Sequence, residues 1–244
     1  MSALVESSAA LGKPADDPAA LARIEARLPP LLSVIAGMVD LTGFFTLGHV
    51  FTAHVTGNLV VAAADAVNGG PFNMAQVLAI PVFMLAVAAV WLIAQVSKLR
   101  GPSLVRLLLS VQFLLLVAVL IFSVVKTPSA DPHGLTAGIA VMIAVSAMAC
   151  QFALLRLAIP GAISTAVMTG NLTNAVLSLM DMLSRRCRPD DELRLKRALQ
   201  LLSGFLVGCL IAATALAVLG DWAWSLPVAV AGVALAWARP SNRG

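Results

Sequence analysis

The side chains that could do chemistry gather in two short elements. Thr52-Ala-His-Val-Thr-Gly-Asn-Leu59 returns 113 residues later as Thr165-Ala-Val-Met-Thr-Gly-Asn-Leu172, with six of eight positions identical. Thr56 and Thr169 carry hydroxyls that can cap a following helix. Gly57 and Gly170 permit close backbone approach or positive φ. Asn58 and Asn171 each bring an amide that donates and accepts. A helix beginning at such an element points free N–H groups and a positive dipole end into the protein, which suits an anion or a polar neutral solute. The same residues could instead pack two helices and satisfy each other. Upstream, Ala36-Gly-Met-Val-Asp40 corresponds to Ala147-Met-Ala-Cys-Gln151, so Asp40 aligns with Gln151. An acid inside an apolar segment costs a few kcal/mol and is by default functional or paired. Asp40 could titrate, bind a cation, or pair with His49 or His54.

Metal and cofactor chemistry find no support in the sequence. His49 and His54 lie five apart, which does not align them on one helical face, and no third ligand shares their spacing. Cys150, Cys187 and Cys209 are an odd number without a CxxC pair, so neither a disulfide framework nor a metal site is implied. No GxSxG, Walker loop, HExxH or paired-carboxylate motif occurs. No catalytic residue, metal or cofactor is therefore expected. An enzymatic alternative would have to use Asp40 with His49 and His54 as acid–base groups on a lipid-soluble substrate.

The elements that position these residues must be membrane helices. Of 244 residues, 60% are hydrophobic and 11% charged, with a mean hydropathy of +0.95. A soluble domain carries about 25% charge. The charges also cluster, in residues 1–30 and in Ser184–Arg197. A cytosolic enzyme, a nucleic-acid binder and a disordered tail are excluded, and the lipid bilayer is the expected partner. Six stretches are near the roughly 20 apolar residues that a span needs: Leu31–Leu47, Met74–Val96, Ser103–Val125, Gly134–Leu157, Ala198–Leu219 and Trp222–Ala238. Phe51–Ala66 and Ala162–Leu183 are apolar too, but are flanked by Gly69-Gly70-Pro71 and Pro160-Gly161, which mark turns. Ala19–Leu28 could form a short surface helix. Trp222, Trp224 and Trp237 suit the two interfaces. Gly204, Gly208 and Ala212 form a small-residue ladder for close helix packing, either within the chain or in a homo-oligomer.

These residues resemble the YoaK-like bacterial membrane proteins, a family of unknown function usually described as six-spanning. Val39-Asp40, Gly43-Phe44 and His54–Asn58 carry the resemblance in the first half. Gln151, Pro160-Gly161 and Val167–Asn171 carry it in the second. It covers roughly Leu31 to Ala238 and implies six spans and a bacterial inner membrane, but no activity.

Charge counting reaches the same span count. If all eight apolar stretches cross and the N-terminus is inside, Lys98, Arg100, Arg106 and Arg156 fall outside. If Phe51–Ala66 and Ala162–Leu183 each return to the side they came from, only Lys126 among the 16 basic residues does. The positive-inside rule favours the second arrangement, which also accounts for the net charge of +4.

The expected architecture is thus all-α and polytopic, six spans plus two re-entrant or broken helices. A cytoplasmic tail (1–30) precedes a first transmembrane repeat (31–125); a second repeat (134–238) precedes a cytoplasmic tail (239–244). Three spans per half make the repeat inverted, as in many transporters. The expected function is transport or channelling of a small polar solute or ion. Asp40, His54, Thr56, Gly57, Asn58, Gln151, Thr169, Gly170 and Asn171 are its candidate binding residues. A scaffold using the Gly204–Ala212 ladder is the alternative.

Overall fold

The computed structural model describes residues 18–69, 73–159, 161–165, 167–184 and 190–238. Both termini, Gly70, Pro71, Pro160 and the basic run around Cys187 lie outside the described residues. Every described element is helical: α1 (Pro18–Thr46), α2 (Gly57–Asn68), α3 (Met74–Ser97), α4 (Gly101–Lys126), α5 (Leu135–Ala158), α6 (Met168–Leu183), α7 (Asp191–Leu219) and α8 (Ser225–Trp237). Short 3-10 turns occupy Pro128–Ala130 and Gly220–Trp224.

Apolar residues surround the long helices on all sides, the pattern of segments with no aqueous face. Five stretches are long and apolar enough to cross a membrane: Leu21–Thr46, Met74–Ser97, Gly101–Lys126, Leu135–Ala158 and Asp191–Trp237. The last holds 47 residues because it joins α7 to α8 through the 3-10 turn, where Gly220 takes a φ of +54°. As one straight rod it would be about 70 Å long, more than twice the roughly 30 Å of a hydrocarbon core.

α1 and α5 form the centre: 67% and 72% of their apolar windows are buried, against 17% for α3. The outer helices turn Met84, Leu85, Trp91, Leu114, Ile121, Leu206 and Leu210 outward. An apolar surface that extensive belongs against lipid. The chain is a multi-pass membrane protein.

Four helix pairs pack most extensively: α1 with α7, α4 with α5, α6 with α7 and α3 with α5. α1 and α7 run parallel: Arg197 pairs with Glu25 at 3.5 Å, Ser33 Oγ donates to Leu201 O at 2.6 Å, and Gly37 lies on the backbone of Phe205. At one end of the bundle, Asn73 Nδ2 before α3 donates to Gly48 O after α1 at 2.8 Å, and Gly48 touches Pro132 before α5. Ser129 Oγ donates to Asp221 Oδ2 at 2.7 Å at that end. At the other end, Gly161 after α5 lies beside Glu25 near the start of α1. α1 and α5 are therefore antiparallel. The chain leaves α1 and begins α3 at one end, and leaves α5 and begins α7 at the other.

Two expectations need correction. Ala19–Leu28 is no separate surface helix, and the first apolar stretch is not short, because α1 continues through Pro29 and Pro30. The prolines remove two backbone donors, but Leu28 and Leu32 are buried on either side of them and Gly204 of α7 packs on Pro30 O. Tertiary packing carries the helix across the break. Trp224 is not interfacial either. It is fully buried, whereas Trp222 and Trp237 are exposed as expected.

Candidate functional site

Asp40 lies six residues before the end of α1, about 9 Å inside it, and is buried. The chain after α1 turns back to reach it. Asp40 Oδ1 accepts from Thr52 N at 2.8 Å, Ala53 N at 2.6 Å, His54 N at 3.4 Å and Thr52 Oγ1 at 3.3 Å. Its other oxygen, Oδ2, faces His54 Nδ1 at 2.5 Å. Successive backbone N–H groups of this kind make an anion-binding nest, and the protein fills it with its own carboxylate. Phe205 of α7 meets the His54 ring edge-on, centroids 5.0 Å apart.

Asn58 locks the loop from the other side. Its Oδ1 accepts from Phe51 N at 2.7 Å and its Nδ2 donates to Phe51 O at 2.8 Å, so one buried amide satisfies both backbone groups of one residue. Gly57 makes room for this turn: a side chain there would meet the Phe51 ring at 3.1 Å.

The second element is built alike. Asn171 Nδ2 donates to Ser164 O at 2.9 Å, again seven residues back. A side chain at Gly170 would strike Val167. Gln151 of α5, buried, stands where Asp40 stands in the first copy. Its Nε2 donates to Leu32 O on α1 at 2.9 Å and lies 3.5 Å from Thr165 Oγ1, while its Oε1 accepts from Gln112 Nε2 at 2.7 Å. Leu32 and Asp40 are eight residues apart on α1, about 12 Å. The first loop thus reaches Asp40 near the end of α1, the second touches Gln151 of α5, which in turn holds Leu32 on α1, and the loops leave the bundle at opposite ends.

Other candidates are placed differently. Thr56 is exposed and makes no side-chain cap, because its backbone is already helical (φ −68°, ψ −22°). A capping side chain needs the extended conformation. Thr169 lies inside α6, where its carbonyl accepts from Thr173 Oγ1. The first N–H groups of α2 are not free for an anion, since Gly57, Asn58 and Leu59 donate to His54, Val55 and Thr56 carbonyls. Neither Gly57 nor Gly170 uses positive φ; both serve close packing. His49 is exposed and stacks edge-on with Phe44 at 4.9 Å. Asp40 and His54 are brought together, and His49 stands apart.

The small-residue ladder is engaged within the chain. A Cβ on Gly208 would collide with the backbone of Val34, and one on Gly204 would sit 3.0 Å from Pro30 O. Ala212 is buried one turn on. α1 therefore already covers the face that a homo-oligomer or scaffold partner would need, because Gly37 on α1 supplies the matching notch.

Gln112 and Ser33 escaped notice in the sequence. Gln112 is the lone amide in the apolar stretch Ser103–Val125, which is signal enough for a buried polar partner. Ser33, one small hydroxyl among many, offers no such signal. Near the second loop a small cleft lies between Glu25, Pro29, Pro30, Ala162, Ile163 and Arg197.

Comparison with known proteins agrees with this chemistry in supplying a family and no activity. A stretch of 31 residues is 58% identical to the UPF0700 transmembrane protein YoaK of Bacillus subtilis (strain 168), which is 13% of this chain and 14% of that protein. No solved structure matches. The family model for proteins of unknown function DUF1275 matches residues 28–237. The chain belongs to the DUF1275 family, YoaK-like membrane proteins whose function is not established.

Proposed function

We propose that the chain is a transporter or channel for a small polar solute or ion, built as two halves of opposite orientation with six crossings in all. The observation that carries this reading is the pair of loops that enter the bundle from opposite ends onto buried polar side chains of its two central helices, one onto Asp40 of α1 and one onto Gln151 of α5. Irregular backbone at membrane depth is tolerated only where protein buries it or water reaches it, and paired broken helices near the midplane are how transporters build sites.

The helix pairings support the inverted arrangement. Exchanging α1 with α5 and α3 with α7 turns the α1–α7 interface into α5–α3, and the exchanged helices run in opposite directions. Basic residues support the orientation. Arg23, Arg27, Lys98, Arg100, Arg156, Arg194 and Arg197 gather at the end where α1 begins; Lys126 lies at the other. Under the positive-inside rule this distribution supports an orientation with both termini on the cytoplasmic side of a bacterial cell membrane.

The test is flux through purified full-length protein in liposomes, against a panel of inorganic anions, cations and small metabolites. At least one solute should move faster than in empty vesicles, and Asp40→Asn and Asn58→Ala should each slow it. A panel in which nothing moves would contradict the reading.

A further inference from the structure

Asp40 Oδ1 is saturated by three backbone N–H groups and a hydroxyl. Among the described residues Oδ2 has one partner, His54 Nδ1. With Nδ1 committed as the donor to a carboxylate, a neutral imidazole keeps its bare lone pair on Nε2. The His54 side chain is 29% exposed and that of Asp40 only 4%, so the imidazole is the half of the pair that reaches the protein surface. The surrounding groups are Asp40 from α1, the Phe205 ring from α7, and Cys209 of α7, whose Sγ is engaged with Gly37 O.

The two copies of the repeat give a second, independent observation. Thr52, Thr56, Gly57 and Asn58 all recur in the second loop, and the Asn58 lock recurs with them. The acid and the imidazole are both replaced: Gln151 corresponds to Asp40 and Val167 to His54. A loop of this form therefore folds without the pair.

We propose that Asp40 and His54 form a proton-binding site, with His54 Nε2 as the atom that takes the proton and Asp40 as its fixed counter-ion. Uptake moves one proton from a hydronium ion to Nε2, breaking one O–H bond and forming one N–H bond, and leaves a water molecule. The pair changes from a net charge of −1 to a neutral imidazolium–carboxylate, which low-dielectric surroundings favour. The site binds its proton whether or not a solute moves, so its failure would leave the transport reading standing.

The test is a pH titration of 15N-histidine-labelled full-length protein in lipid nanodiscs, with His49→Gln and His133→Gln variants used to assign the signals. As the pH is lowered, His54 Nε2 should pass from bare to protonated while Nδ1 stays protonated. Asp40→Asn should leave Nε2 bare at the pH where half of the native molecules carry the proton. His54→Gln, which leaves Asp40 on the loop N–H groups, should remove that signal and leave those of His49 and His133 in place. An Nε2 signal that never changes, or one that titrates identically in Asp40→Asn, would overturn the proposal.

Discussion

At the scale of single residues, the two asparagines carry the loops. Asn58 satisfies both backbone groups of Phe51, and truncation strands them. Leaving buried polar groups unpaired costs about 1–3 kcal/mol each. Asn58→Ala should therefore lower stability by about 2 kcal/mol or more, read as an earlier melt in detergent. Asn171→Ala should move the same way. Thr56→Ala, at an exposed residue that caps nothing, should leave the melt unchanged, and a marked loss there would mean that the loop is held differently. The sequence made these residue types conspicuous but not their partners. A lock between residues seven apart spans a loop, and no helical or strand periodicity predicts it. The Thr56 cap was misread because the turn before α2 is already helical, a property of the local backbone that residue type alone does not encode.

At the scale of elements, α1 is read twice by its neighbours. α7 lies along it through facing glycines, the first loop folds onto Asp40, and Gln151 of α5 links the second loop to Leu32. Gly208→Ala puts a methyl into the Val34 backbone. Overpacking of this kind costs about 1–3 kcal/mol, seen as a lower melting temperature. Gly138 of α5 has open space where its Cβ would go. Gly138→Ala should be neutral or stabilise by up to about 1 kcal/mol, since glycine in a helix interior is costly. Equal effects from the two substitutions would contradict the close α1–α7 crossing. The ladder Gly204–Gly208–Ala212 was legible as a packing face from spacing alone. Its occupant was not, because a small-residue stripe fits a helix of its own chain or of another copy equally well. The length of α1 was hidden for a related reason: Pro29-Pro30 reads locally as a stop, and only the packing of α7 across it shows the helix continuing.

At the scale of the whole molecule, most of the architecture rested on two sequence signals. The repeated Thr-Gly-Asn marked the loops, and the one-sided distribution of Lys and Arg marked their return. The contacts Asn73–Gly48 and Gly161–Glu25 supply the physical counterpart: each segment between a central helix and the next long helix begins and ends at the same end of the bundle. What composition could not convey was the Gln112–Gln151–Thr165 contact or the joining of Asp40 to His54, since both depend on which helix faces come together.

The most direct measurement is the sidedness of α2 and α6. Asn68, at the end of α2, and Ser184, after α6, are both exposed polar residues. Single cysteines at Asn68 and Ser184, in a background without Cys150, Cys187 and Cys209, would report it with a membrane-impermeant thiol reagent in intact and opened cells. Opposed loops require Asn68→Cys to label from outside and Ser184→Cys from the cytoplasm only. Labelling of both from the same side would mean that at least one of the two segments crosses the membrane, and would contradict the account.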